Sequence, residues 1–202
     1  MLSIILPAKN EAAALADLLP ALRQAQPQAE IIVSDDGSSD NTAELCAEHG
    51  ITCVSAPYSM GNGAAIKRGA RAAQGDILVF MDADGQHDPA DIPRLLEKLE
   101  SGYDMVVGAR DWEGQAGVGR GIANGAYNWL ATRITGHDIL DLPSGFRAVR
   151  ASKFREFLYL LPNGFSYPTT STMAFFRSGY PVAYISIDAG QPIGQSPLPP
   201  RR

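Results

Sequence analysis

Short apolar runs alternate with amphipathic stretches through the first half of the chain, and that alternation constrains the fold more than any other feature. Residues 2–6 (LSIIL), 31–33 (IIV), 51–54 (ITCV), 77–81 (ILVFM) and 105–107 (MVV) are too short for helices and rich in β-branched side chains. Such strands belong to sheets covered by helices on both faces. Helical patterns lie between them at about 11–25, 40–48, 62–74 and 89–100. Gly50, Gly75 and Gly102 stand at C-cap-like positions after the last three, and Pro89 fits a first turn. Strand–helix alternation of this kind predicts an α/β fold with a mostly parallel central sheet flanked by helices.

Beyond residue 108 the pattern changes. Gly114, Gly117, Gly119 and Gly121 mark a glycine-rich loop, followed by a helix at about 122–135 and a turn at 141–145. A strand at 146–149, helices near 151–160 and 168–178, and a strand at 181–187 complete the pattern. A single domain is expected over 1–189, with a proline-rich tail over 190–202 that cannot form regular structure. A chain of 202 residues buries roughly 70% of its unfolded surface, so an ordinary core suffices without staples.

The balance of charges excludes some functions. With 17 basic against 22 acidic residues the net charge is −5, which argues against a general nucleic-acid binder. Cys46 and Cys53 are too few for a disulfide framework and lack the clustered partners of a zinc site, so they read as buried thiols in a reducing compartment. The N-terminal run lacks a basic n-region and is too short for a signal peptide. No stretch reaches 18 apolar residues. A cytoplasmic protein is expected, with any membrane contact made at its surface.

In open α/β sheets ligands bind beyond the carboxyl ends of the strands. Three such ends are polar here: Pro7-Ala8-Lys9-Asn10-Glu11, Ser34-Asp35-Asp36-Gly37-Ser38-Ser39-Asp40 and Asp82-Ala83-Asp84-Gly85-Gln86-His87-Asp88. Each alone reads as a turn with a helix cap. Together, on one edge of one sheet, they mark a binding site. Residues i and i+2 of an extended chain point the same way, so Asp82 and Asp84 can face one point. Two hard oxygen anions, with Gln86 and His87 close behind, suit Mg²⁺ or Mn²⁺ with positions left open for phosphate oxygens. Gly61-Asn62-Gly63 opens a helix and could offer N–H groups to an anion, but it lacks the third glycine of a dinucleotide fingerprint. The chain also has no G-K-S/T of a P-loop.

The ordered segments ILPAKNE (5–11), VSDDGSSDNT (33–42), GNGAAIKRG (61–69), GDILVFMDADGQHDP (75–89) and DLPSGFR (141–147) resemble the GT-A-fold family 2 glycosyltransferases. The likeness is to the branch of dolichol-phosphate mannose synthases and polyprenyl-phosphate sugar transferases, and it covers about residues 2–190. It implies a glycosyltransferase, inverting by family habit, that uses a UDP- or GDP-linked sugar donor and Mg²⁺ or Mn²⁺. Pro7, Lys9, Glu11, Asp35 and Asp36 would line the nucleoside pocket. Asp82, Ala83 and Asp84 would form the D-x-D segment, with Gln86 as a further metal ligand. Arg110 matches a phosphate-contacting arginine. Asp141, Ser144, Gly145, Phe146 and Arg147 match the segment flanking the acceptor, with Arg147 expected to bind the donor as well, and Asp84, Arg110 and Asp141 are the expected catalytic residues.

The chain departs from that family in three places. Lys9 stands where an aromatic is common, which leaves the base open. The cationic R-x-x-G-x-S-K segment reads Gln191-Pro192-Ile193-Gly194-Gln195-Ser196-Pro197, and residues 165–170 (FSYPTT) supply hydroxyls but no carboxylate. A hydroxyl acceptor needs a positioned base. A phosphate monoester, with a second pKa of about 6, does not. The missing base therefore favours a polyprenyl phosphate acceptor. If the acceptor is a sugar hydroxyl, Asp141 is the candidate base; a non-catalytic sugar-nucleotide-binding module is the rival reading.

The charges also segregate along the chain. Residues 81–104 carry Asp82, Asp84, Asp88, Asp91, Glu97, Glu100 and Asp104 against Arg94 and Lys98, a local −5 suited to a metal. Residues 120–155 carry Arg120, Arg133, Arg147, Arg150, Lys153 and Arg155 against Asp138 and Asp141, a local +4 suited to an acceptor phosphate or an anionic membrane surface.

Overall fold

A computed structural model describes residues 1–110, 132–133, 136 and 139–187. Its first half alternates β1 (Leu2–Ala8), α1 (Ala12–Ala25), β2 (Glu30–Asp35), α2 (Thr42–Glu48), β3 (Thr52–Ser55), α3 (Asn62–Ala72) and β4 (Ile77–Phe80). A 3-10 turn at Pro89–Asp91 leads into α4 (Ile92–Glu100) and β5 (Met105–Arg110). The described residues end with β6 (Arg147–Arg150), α5 (Ala151–Arg155), α6 (Tyr167–Arg177) and β7 (Val182–Ile187).

The strands form one seven-stranded sheet in the order β3-β2-β1-β4-β6-β5-β7. β1 pairs in parallel with β2 and β4, and β2 with β3. β6 lies antiparallel between β4 and β5, with Phe80 opposite Arg147, while β5 and β7 run parallel. Reversing β6 brings its first residue to the edge where the parallel strands end. That puts the 141–147 segment beside the D-x-D.

Period-two alternation divides the core into two layers. Ile4, Leu6, Ile31, Val33, Val79 and Val106 face one cluster with Leu15, Leu19, Leu22, Leu95 and Leu99 of α1 and α4. Ile5, Ile32, Leu78, Phe80, Met105 and Val107 face the other, with Ile66 of α3, Phe154 of α5 and Phe175 of α6. All seven strands read from sequence are present, with no end moved by more than three residues.

The helix expected over 151–160 is regular only to Arg155. Turns carry the chain on toward Pro162, which disfavours helical geometry at the residue before it. Phe157, Leu158 and Leu161 still reach the second cluster, so their core reading holds. The glycine-rich loop at 114–121, most of the 122–135 helix and the 190–202 tail lie outside the described residues.

Candidate active site

The loops after β1 and β2 are joined into one wall. Ser38 Oγ accepts from the Asn10 N–H at 2.9 Å, and Asn10 Oδ1 accepts from the Ser39 N–H at 2.8 Å. Asp40 Oδ2 accepts from the Ala12 N–H at 3.1 Å and so caps α1 from a neighbouring loop. Asn10 takes φ of 57°, a left-handed turn that asparagine tolerates, and this turns Glu11 back over the edge.

Pro7 sits in register with Ser34. Lys9 is exposed on the rim. Asp35 is buried and accepts from the Ser38 N–H at 2.8 Å. Asp36 is buried as well, and it accepts from Ser59 Oγ at 2.7 Å and from the Met60 and Gly61 N–H groups at 2.8 Å each. Burial opposes its charge, but those three bonds and nearby Arg68 hold the Asp36 carboxyl below its ordinary value. Its oxygens therefore anchor the 59–61 segment that opens α3.

The loop after β4 holds the D-x-D. Asp84 accepts from the Gln86 N–H at 3.1 Å and from Gln86 Nε2 at 2.7 Å. Burial raises the Asp82 carboxyl, against the pull of Arg110 and Arg147. Burial also raises Asp84, with the charge of Asp82 adding to it, and raises Glu11, with Asp84, Asp40 and Asp82 adding. Asp82 accepts no hydrogen bond from the described residues. The structure thus sets Glu11 and Asp84 in the repulsive field of Asp82 and of each other, with Gln86 bonded to Asp84, and a hard divalent cation would relieve that repulsion. Among the described residues no three acidic, histidine or cysteine side chains converge closely enough to hold an ion unaided. The donor set fits a cation that shares its coordination with a diphosphate. Ala83 is buried in the first core cluster, so its side chain faces away from the site.

Opposite this loop, Arg110 and Asp141 form a two-pronged ion pair, Nε to Oδ2 at 2.8 Å and Nη2 to Oδ1 at 3.0 Å. The Arg110 N–H also donates to Oδ2 at 3.2 Å. Asp141 is 1% exposed and Arg110 29%, which leaves Nη1 as the donor without a protein acceptor among the described residues.

Gly145 fits against Asp82: a Cβ there would lie 2.8 Å from Asp82 Oδ2. His87 stacks on Phe146 with ring centroids 4.9 Å apart, and its Nδ1 has no partner among the described residues. Burial lowers His87 to about 4, so it is neutral at ordinary pH. Ser144 is buried and donates to the Gly108 carbonyl at 2.6 Å.

Arg147 departs from the expectation of a donor-binding residue. It is fully buried, donating to the Pro168 carbonyl at 3.0 Å, Ser171 Oγ at 2.9 Å, Thr172 Oγ1 at 3.1 Å and the Ser144 carbonyl. Facing inward from β6, it ties the start of α6 to the turn that holds Gly145, and it is not brought into the open cleft. An arginine at the first position of a strand carries no sequence signal for this inward orientation.

A mixed sheet with an acidic D-x-D pair at the carboxyl edge of its fourth strand defines the GT-A class of nucleotide-sugar transferase folds. Solved structures of glucosyl-3-phosphoglycerate synthase from Mycobacterium tuberculosis share it. The complex with Mn²⁺, uridine diphosphate and phosphoglyceric acid matches with a TM-score of 0.78 at 23% identity, covering 97% of this chain and 72% of that one. The complex with Mg²⁺ and uridine diphosphate matches at 0.77 and 23% identity, with 97% and 72% covered. At such identity the likeness establishes the fold.

The chain belongs to glycosyl transferase family 2, whose model matches residues 3–158. Curated relatives include undecaprenyl-phosphate 4-deoxy-4-formamido-L-arabinose transferases. The protein of that name from Pseudomonas fluorescens (strain SBW25) is 35% identical over 190 residues, covering 85% of this chain and 55% of the relative. The one from Pectobacterium carotovorum subsp. carotovorum (strain PC1) is 37% identical over 158 residues, covering 73% and 48%. This chain therefore spans about half the length of the curated relatives it matches.

Proposed function

We propose that this chain carries the catalytic domain of a glycosyltransferase that moves a sugar from a nucleoside diphosphate to a polyprenyl phosphate. The donor would be UDP- or GDP-linked. The observation that carries the reading is the pairing of Asp82 and Asp84, both with raised carboxyls, across from an arginine whose Nη1 has no acceptor among the described residues. Asp82, Asp84 and Gln86 would hold Mg²⁺ or Mn²⁺, which when bound neutralises the leaving diphosphate. Arg110, aimed by Asp141, adds a fixed cation for the same charge. The loops around Pro7, Lys9, Glu11 and Asp35 would receive the nucleoside, and Asp36 shapes that wall by holding residues 59–61.

The step is a single displacement. An oxygen of the acceptor phosphate attacks the anomeric carbon, the bond from that carbon to the diphosphate oxygen breaks, and the diphosphate leaves with the electron pair. Both oxygens of Asp141 are engaged by Arg110, which argues against Asp141 as a base for a hydroxyl acceptor. A dianionic phosphate needs no base. The names of the curated relatives support the lipid-phosphate acceptor, and the 4-formamido-arabinose donor is the first to try. No helix among the described residues is long and apolar enough to cross a membrane. In this reading the domain would meet its lipid acceptor at the membrane surface, on the cytoplasmic side.

The test is transfer of radiolabelled sugar from UDP- and GDP-linked donors, with Mn²⁺ present, to a short-chain polyprenyl phosphate. Lipid-linked label supports the reading. Metal-dependent donor binding without transfer to any phosphate would instead favour a binding module, and transfer to a sugar hydroxyl would overturn the acceptor assignment.

A further inference from the structure

On the same rim as the acidic site, two separate segments place large apolar side chains in solvent. Tyr159 is 80% exposed, Phe165 76% and Leu160 49%; across from them Tyr58 is 66% and Met60 37% exposed. The two segments touch through backbone. The Gly63 N–H donates to the Gly164 carbonyl at 3.2 Å and the Ala64 N–H to the Asn163 carbonyl at 3.2 Å. Gly61, at φ of 104°, lies so close to the Asn163 carbonyl that no side chain fits there. Cations fasten the second segment to α3. Lys67 Nζ donates to the Leu161 carbonyl at 2.8 Å and to Asn163 Oδ1 at 2.6 Å, and Arg155 Nε donates to the Ala70 carbonyl at 3.1 Å.

These side chains are therefore held outward by a braced backbone. Soluble surfaces rarely gather aromatics in this way without a partner. Tyr and Phe beside Lys and Arg is the composition of a membrane interface, where rings sit at headgroup level and cations meet lipid phosphates. Lys67, Arg71 and Arg155 follow α3 and α5 down from the patch, and the proton affinity of Lys67 is lowered chiefly by burial and secondarily by the charge of nearby Arg71. In a chain of net charge −5 this is a local basic flank on an acidic body. Phe165 stands two residues before Tyr167, whose Oη lies 3.5 Å from the carbonyl of Gly145, the residue packed on Asp82.

We infer that the patch of Tyr58, Met60, Tyr159, Leu160 and Phe165, flanked by Lys67, Arg71 and Arg155, docks this domain on an anionic bilayer surface. It rests on the proposed lipid-phosphate acceptor, because it sets the D-x-D cleft beside the membrane in which such an acceptor is dissolved. The aromatic side chains enter the headgroup layer and the cations pair with lipid phosphates.

Co-sedimentation with vesicles that contain no polyprenyl phosphate tests the docking alone. The chain should bind equimolar phosphatidylcholine–phosphatidylglycerol vesicles more tightly than pure phosphatidylcholine. L160S/F165S should weaken both by about tenfold, and R71E should weaken only the anionic case. Thermal stability of these variants should be unchanged, as should transfer to a short water-soluble polyprenyl phosphate. A chain that stays in the supernatant, or variants that bind like the parent, would overturn the inference. So would a concentration-dependent dimer that the same substitutions dissolve, since the occupant would then be a second copy. If the parent binds vesicles as stated but transfers no sugar to the soluble acceptor, the proposed activity falls and the docking stands.

Discussion

Asp141, almost wholly buried, accepts from three N–H groups of a single residue, Arg110, two in its guanidinium and one in its backbone. A pair of this geometry fixes a cation in space more firmly than a lone arginine on a strand end can. Among the described residues Nη1 of the arginine has no acceptor, while both oxygens of the aspartate are bonded to that arginine.

Arg110→Lys should therefore behave as a non-conservative change. A lysine cannot match the planar fork, so Asp141 is left partly unpaired. Arg110→Ala leaves the buried carboxylate alone and should cost about 3 kcal/mol in urea unfolding. If Asp141 acts only by aiming Arg110, its effect on turnover disappears once Arg110 is alanine. A double-mutant cycle on turnover checks this; independent, additive losses would point to a direct role for Asp141.

Gly145 and Asp82 give a sharper test of the metal site. A methyl group at 145 would meet the Asp82 carboxylate first, with Oδ2 2.8 Å away, and would displace it. Gly145→Ala should lower Mn²⁺-dependent donor affinity by about tenfold or more, since small misplacements of a liganding group are costly. Calorimetric titration of donor with and without Mn²⁺ measures this, and an unchanged metal-dependent increment would remove Asp82 from the ligand set.

The strands and the D-x-D were legible because they rest on local signals: apolar runs with two buried faces, and a pair of aspartates at a strand end. Glu11 lies in the field of Asp82 and Asp84, and Gln86 bonds Asp84, because the ends of β1 and β4 share one sheet edge. What was not legible depends on pairing across the chain. Nothing near Asp141 announces that Arg110 lies beside it, because the two meet only after β6 inserts antiparallel between β4 and β5. Arg147 reads as a cation for a ligand until register places it opposite Phe80, inside the second layer. Likewise Tyr58 and Phe165 look like isolated aromatics until Gly61 and Gly63 bring their segments together.

Asp82→Asn should trade function for stability. A carboxyl that holds its proton more tightly folded than unfolded stabilises the fold while protonated. That contribution is complete below the ordinary aspartate value of 3.8 and is lost as pH rises through the raised value. At neutral pH the metal-free chain therefore carries the cost of a buried charge. The asparagine variant should melt higher than the parent without metal and lose the upward shift that Mn²⁺ with donor gives the parent. His87 acts in the opposite sense: with its value lowered from 6.5 to about 4, its contribution is present above 6.5 and lost as pH falls toward 4. Thermal melts across pH should show the Asp82→Asn gain growing above the aspartate range.

Arg147 decides between a structural and a ligand-binding reading of the same cation. It donates to one carbonyl and two hydroxyls in the first turns of α6 and to the Ser144 carbonyl in the turn before β6, and its guanidinium is fully enclosed. Truncation to alanine removes this donor from the Ser144 carbonyl and the two hydroxyls, leaving the Pro168 carbonyl only its bonds from Ser171 and Thr172, and should cost about 3 kcal/mol or more. Arg147→Met fills the same volume without the charge, so it should recover part of that loss, as apolar replacements of buried charges often do. With the fold retained at low temperature, the methionine variant should bind donor within a few-fold of the parent. Stability and donor affinity, measured on both variants, separate the two roles. A methionine variant that folds fully but has lost the donor would return Arg147 to the binding site.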